Sequence, residues 1–281
     1  VTTVPFGERL RAATTARGPL CVGIDPHPGL LAAWGLPDDA SGLERFALGT
    51  VEALADRVAV LKPQSAFFER HGSRGIAVLE RVVVAARAAG ALVVLDAKRG
   101  DIGSTMTAYA QAYLDPASPL AVDALTVSPY LGYGSLRPAI DLAHANGCGL
   151  FVLALTSNPE AAALQHLGGS LGSVAAQVVS GAAADNAEAA DLGSIGLVVG
   201  ATVGTAVHDL GLDLAASKAP LLAPGVGAQG GGAAELAQVF GSARANVLPS
   251  SSREVLGAGP AVAGLRAAAE RTLDVVRQAL G

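Results

Sequence analysis

The sequence predicts an α/β protein built as a (β/α)8 barrel of the TIM type. Three observations lead there. Eight short runs rich in Val, Leu, Ile and Ala recur along the 281 residues. The segments between them carry apolar residues at helical spacing, so strand and helix alternate as they do in a parallel sheet with crossover helices. The runs themselves are nearly free of charge, and polar residues gather just past their C-terminal ends. Eight such units fit a closed barrel, and the length suits one catalytic domain over residues 1–281.

Residues 6–17 read as a helix capping the barrel floor. The strand candidates then follow as 20–25, 58–63, 91–97, 124–129, 149–155, 195–201, 219–225 and 245–250. Helical spacing is clearest over 74–89, 134–145, 172–189 and 260–279, and the long connection 157–194 has room for an extra turn or helix before its main one. With 51% hydrophobic and only 4% aromatic residues, the core must be aliphatic, which suits parallel strands buried on both faces.

Composition narrows the function. A net charge of −5 gives no basic field for nucleic acid. No apolar stretch of about 18 residues runs without Gly or Pro, so no membrane span is expected. The first residues hold no apolar signal core, so a cytoplasmic location is expected. Cys21 and Cys148 have neither disulfide-framework nor metal-ligand spacing and read as buried, reduced thiols. None of the five histidines has metal-site spacing, so no metal is expected; His27, just past the first strand, is the one nearest the mouth.

Lysine is scarce: 16 of the 19 basic residues are Arg, and Lys62, Lys98 and Lys218 are the exceptions. A chain that uses Arg for generic positive charge keeps Lys where an ammonium must be compact and able to release a proton. Lys62 ends the second strand, and Asp96 and Lys98 end the third, with Asp101 just beyond and Asp25 after the first. In a regular strand Asp96 and Lys98 share a face, which at a barrel mouth points inward. Active sites of this fold lie at that end. A second constellation lies on the last two strands. Gly225–Gly232 with Gln229 follows the seventh, and Arg253 follows the eighth. Backbone N–H groups of a Gly-rich loop and a guanidinium fork suit a phosphate.

These residues carry a resemblance. DAKRGD, continued by Ile102-Gly103-Ser104-Thr105, resembles the strand-3 motif of the orotidine 5′-phosphate decarboxylase family. GIDP with Asp25, LKPQSAFFE with Lys62, VSPYLG, LTSNP with Ser157, VGAT, LAPGVGAQGG with Gln229 and SSSRE with Arg253 agree in the same order along essentially the whole chain. KPQSAFFE and PYLG resemble the longer bacterial branch. Ser252 departs from the shorter members, which carry Gly before the phosphate Arg.

The resemblance implies decarboxylation of orotidine 5′-phosphate to UMP, in de novo pyrimidine synthesis, without a cofactor. It implies that Lys98 protonates the ring carbon and that Asp96 and Asp101 flank it, Asp101 coming from the partner subunit of a homodimer with sites at the interface. Lys62 and Asp25 would meet the ribose hydroxyls, Ser157 the pyrimidine, and Gln229 and Arg253 the phosphate, while Ile102 and Thr105 would line the site. Flanking carboxylates favour a protonated Lys98, which argues against a Schiff base. The alternatives are a metal-dependent sugar-phosphate decarboxylase or aldolase of the same barrel group, a Schiff-base aldolase, and a non-catalytic sensor of the same ligand.

Overall fold

Eight parallel strands close in sequence order into a barrel, β1-β2-β3-β4-β5-β6-β7-β8, in a computed structural model that describes residues 3–226 and 231–281. The strands are β1 Cys21–Ile24, β2 Val60–Pro63, β3 Leu92–Arg99, β4 Ala124–Val127, β5 Gly149–Leu155, β6 Ile195–Val199, β7 Leu221–Pro224 and β8 Val247–Ser251. Each falls within or overlaps the run predicted for it. Closure is made by β1 against β8, with Cys21 opposite Ser250 and Val22 opposite Ser251. This is the (β/α)8 architecture expected from the sequence.

Helices cover the outside. Gly72–Ala88 and Val174–Asp185 lie over predicted segments, and Val262–Leu280 closes the chain. The segment expected as a helix from 134 divides into a 3-10 turn, Tyr133–Leu136, and an α-helix, Arg137–Asn146. Proline in the first turn, Pro138, has no N–H to leave unpaired there. The connection 157–194 does hold additional turns, at Pro159–Ala161, Ala162–Gln165 and Gly169–Leu171, before its main helix.

Two apolar layers result. The larger lies between strands and helices; the smaller fills the barrel interior with Cys21, Val60, Val94, Ala124, Phe151, Val198, Leu222 and Leu248. The helix Phe6–Arg17 plugs the floor. Its Phe6 is fully buried and meets Phe151 edge-to-face at 6.0 Å. Gly149 makes that possible, because a Cβ there would collide with the Phe6 ring.

A charged staple holds the plug. Arg9 Nη1 lies 2.6 Å from Asp123 Oδ1, and Arg9 Nη2 donates to the Gly147 carbonyl. Asp123 is 3% exposed, and its other oxygen accepts from the Val93 backbone N–H at 2.8 Å. Truncating Arg9 leaves a buried carboxylate with Arg87 at 3.7 Å as its nearest cation. Arg9→Ala is therefore expected to lose about 2–3 kcal/mol of stability in urea denaturation. A loss below about 0.5 kcal/mol, the level of an ordinary surface change, would show that the staple carries nothing.

Candidate active site

Asp96 is the centre of the barrel mouth. It is 8% exposed on β3 and lies between two ammoniums. Lys62 Nζ on β2 is 3.0 Å from its Oδ2, and Lys98 Nζ is 2.5 Å from its Oδ1. Burial opposes ionisation of Asp96, but Lys62 and Lys98 outweigh it, and its pKa lies well below the usual carboxylate range. Burial likewise opposes the charge on Lys62; Asp96 and Asp25 overcome that and hold it above the ordinary lysine value. Below Lys62, the thiol of Cys21 is pushed up to about 12, chiefly by burial. Both cysteines are buried free thiols.

Lys98 does reach Asp96, but not along a regular strand. The β3–β4 register shifts between Leu95 and Arg99, and Lys98 has φ +49°. A non-glycine residue in that region costs about 1–2 kcal/mol, so its surroundings must hold it there. They do so through Thr126, 1% exposed on β4. Its Oγ1 accepts from Ala97 N at 3.0 Å and Lys98 N at 2.9 Å, and donates to Asp96 Oδ1 at 3.0 Å. The next side chain, Arg99, turns the other way to Glu69 and to Tyr113 Oη. Thr126 escaped the sequence reading, although a hydroxyl in the apolar run 124–127 was a signal.

Two cavities meet at Lys62 and Pro224. One, about 380 Å3, is lined by Asp25, His27, Gln64, Phe67 and residues 250–254 including Arg253. The other, about 230 Å3, is lined by Asp96, Lys98, Thr126, Thr156, Ser157 and Asn158, with Leu153, Val198 and Leu222 as its apolar wall. In the first, Asp25 Oδ1 is buried with no hydrogen-bond partner among the described residues. Gly23 leaves it room: a Cβ there would come within 3.1 Å of both Asp25 oxygens and 2.9 Å of Ser252 Cβ. His27 packs edge-to-face on Phe67, ring centres 4.3 Å apart. Arg253 opens the short helix Arg253–Leu256, which Trp34 pins by donating to the Leu256 carbonyl at 2.9 Å.

In the second cavity, the end of β5 is clasped from the following turn. Thr156 N donates to Gln165 Oε1, and Gln165 Nε2 donates back to Thr156 Oγ1. Ser157 follows directly and is exposed. Neither Thr156 nor Gln165 was singled out in the sequence as a functional pair.

Three expected site residues stand apart from both cavities. Asp101 Oδ1 accepts from the backbone N–H of Ile102 at 2.8 Å and makes no ion pair with Lys98. Ile102 is 62% exposed, and Thr105 is exposed on the first turn of the helix Gly103–Leu114. Gln229 lies outside the described residues. A larger groove, about 930 Å3, sits at the opposite end of the barrel beside Glu8, His144 and residues 184–194, where Arg11 is already paired with Asp191. It is remote from the strand ends, and we place no chemistry there. Among the described residues no group of three His, Cys, Asp or Glu is placed to hold a metal ion, and no helix is long and apolar enough to cross a membrane.

Comparison with known proteins adds an independent line. The model of the orotidine 5′-phosphate decarboxylase / HUMPS family matches residues 18–268. The orotidine 5′-phosphate decarboxylase of Salinispora arenicola is 65% identical over 276 residues, 98% of each chain. That of Streptomyces coelicolor is 62% identical over 278 residues, again 98% of each. The OMP decarboxylase structure of Leishmania donovani aligns with a TM-score of 0.78 at 30% identity over 99% of each chain.

Proposed function

The chain belongs to the orotidine 5′-phosphate decarboxylase / HUMPS family and is a carboxy-lyase, and from that premise we propose that it converts orotidine 5′-phosphate to UMP without a cofactor, with Lys98 as the proton donor. The observation that carries the proposal is Asp96 clamped between Lys62 and Lys98 at the barrel mouth. Breaking the bond from the ring to its carboxylate leaves the electron pair on the ring carbon as CO2 departs. No resonance sink receives that pair, so a fixed ammonium is the group suited to stabilise it electrostatically and then to supply a proton. Asp96 Oδ1, 2.5 Å from Lys98 Nζ, holds that group in place for the task.

The two cavities divide the substrate. The smaller, with its apolar wall and Ser157, suits the pyrimidine. The larger leads to the phosphate, for Arg253; the resemblance assigns Gln229, outside the described residues, to the same group. Lys62 lies where they meet and Asp25 lines the larger, where its oxygen without a partner among the described residues suits a ribose hydroxyl donor. Phosphate binding is distant from the breaking bond, so its energy can order the site before reaction.

The site is completed by a second copy of the chain. Asp101 makes no ion pair with its own Lys98, and Ile102, Tyr130 and Leu131, just past the ends of the adjacent strands β3 and β4, are 62%, 76% and 52% exposed. An exposed apolar cluster beside a site suits an interface. Asp101 of the partner subunit would then approach Lys98, with Ile102 of the partner subunit and Thr105 of the partner subunit beside the substrate. The metal-dependent sugar-phosphate reading is less favoured, because both oxygens of Asp96 are engaged by lysines.

A spectrophotometric assay with orotidine 5′-phosphate tests the activity; no absorbance change at any enzyme concentration would refute it. Arg253→Ala tests the phosphate grip. It is expected to lower kcat/KM for orotidine 5′-phosphate by at least about 1.5–3 kcal/mol, the worth of a charge-assisted contact, and to leave weak turnover of orotidine unchanged. Equal losses on both substrates would make Arg253 structural.

A further inference from the structure

The geometry points to Thr126 as a positioning residue, whose hydroxyl sets the angle between Asp96 and Lys98 on which the reaction proposed above depends. Its three polar contacts exhaust what a hydroxyl can do: one proton donated, two lone pairs filled. The proton goes to Asp96 Oδ1, the same oxygen that Lys98 Nζ meets. The lone pairs take the N–H groups of Ala97 and Lys98. One side chain therefore fixes the carboxylate and the backbone carrying the ammonium in one frame.

The register explains why a side chain is needed. Leu95 pairs with Leu125 and Arg99 with Val127, so Thr126 alone stands opposite the three residues 96–98 of β3. The ladder cannot serve all the N–H groups of that excess stretch, and Thr126 Oγ1 takes two of them. In β4 the other side chains, Ala124, Leu125 and Val127, are apolar and buried. Thr126 also lines the cavity that holds Asp96 and Lys98, yet its hydroxyl is spent and has nothing left for a substrate. It acts through its neighbours.

Thr126→Val keeps the shape and removes the hydroxyl, leaving the N–H groups of Ala97 and Lys98 unpaired and Asp96 Oδ1 with Lys98 Nζ as its one remaining partner. Displacement of a reacting group by about 1 Å costs on the order of a hundredfold in rate. We expect kcat on orotidine 5′-phosphate to fall by about that factor, while the Kd for UMP, which has no carboxylate to lose, changes less than about threefold. Thr126→Ser restores the hydroxyl and is expected to recover kcat to within about fivefold of wild type. A Val variant with near-normal kcat overturns the inference. So does a Ser variant as impaired as Val, or a loss of UMP affinity matching the loss of kcat.

Should Thr126→Val fail to fold, Thr126→Ala takes its place in the same comparison. Amide exchange in the wild-type protein needs no variant: the N–H groups of Ala97 and Lys98 are expected to be protected, and rapid exchange at both overturns the inference. The inference rests on the proposed decarboxylation, but the two fail differently. An inactive wild type refutes the activity and leaves the exchange measurement to judge Thr126.

Discussion

Lys98→Ala is expected to show no detectable decarboxylation of orotidine 5′-phosphate, at least about four orders of magnitude below wild type, while it folds and binds UMP. The size of the loss follows from the two duties assigned to this ammonium. Proton delivery by a positioned acid is worth about 10²–10⁴ in rate. Electrostatic stabilisation of developing charge is worth about a further 10²–10³. The fold survives for reasons visible at the site. The Lys98 side chain is 47% exposed, so no core void forms. Asp96 keeps Lys62 at 3.0 Å, so the buried carboxylate is not orphaned. Alanine at φ +49° bears the same backbone cost as lysine. Lys98→Arg is expected to be equally inactive, because a guanidinium does not give up its proton. Steady-state assay, UMP titration calorimetry and a thermal melt read all three expectations. Turnover within tenfold of wild type in Lys98→Ala would remove Lys98 from the mechanism.

The second large effect is a recovery from near zero. Under the proposed shared site, Lys98→Ala and Asp101→Asn dimers, each expected to be inactive alone, are expected to regain activity when their subunits exchange. If Asp101 serves the partner's barrel, a hybrid dimer has one site with Lys98 and Asp101 both intact and one site carrying both changes. Random exchange makes about half of the dimers hybrid, and each has one of its two sites complete, so activity approaches roughly a quarter of wild type in a symmetric dimer. Native mass spectrometry gives the hybrid fraction. Exchange without recovered activity would mean that Asp101 serves its own chain, against its present bond to the Ile102 N–H.

The barrel was legible because of how its strands are buried. A parallel strand covered on both faces must be an unbroken apolar run, and at the mouth it must end in whatever polar group the site uses. Val60–Pro63 therefore stood out by Lys62, and Leu92–Arg99 by Asp96 and Lys98. The route by which Lys98 reaches Asp96 was not legible. Nothing in DAKRGD before Gly100 announces a register shift, and lysine is a poor marker for a positive φ. Thr126 was hidden for the opposite reason: threonine is an ordinary strand residue, and its part depends on which β3 residues the shift sets opposite it. The Thr156–Gln165 clasp requires the turn after β5 to fold back on the strand end. The Arg9–Asp123 staple was not legible either, because the two residues lie 114 positions apart and no local pattern joins them.

The plug formed by Phe6, Phe151 and the apolar barrel interior makes the molecule a vessel with a floor. Among the described residues, the side chains beneath Lys98 are packed too closely for a file of water to rise to it. Under the proposed chemistry, the proton that replaces the one given to the ring enters by the passage through which CO2 and UMP depart. Recharging of Lys98 and emptying of the site then share one doorway.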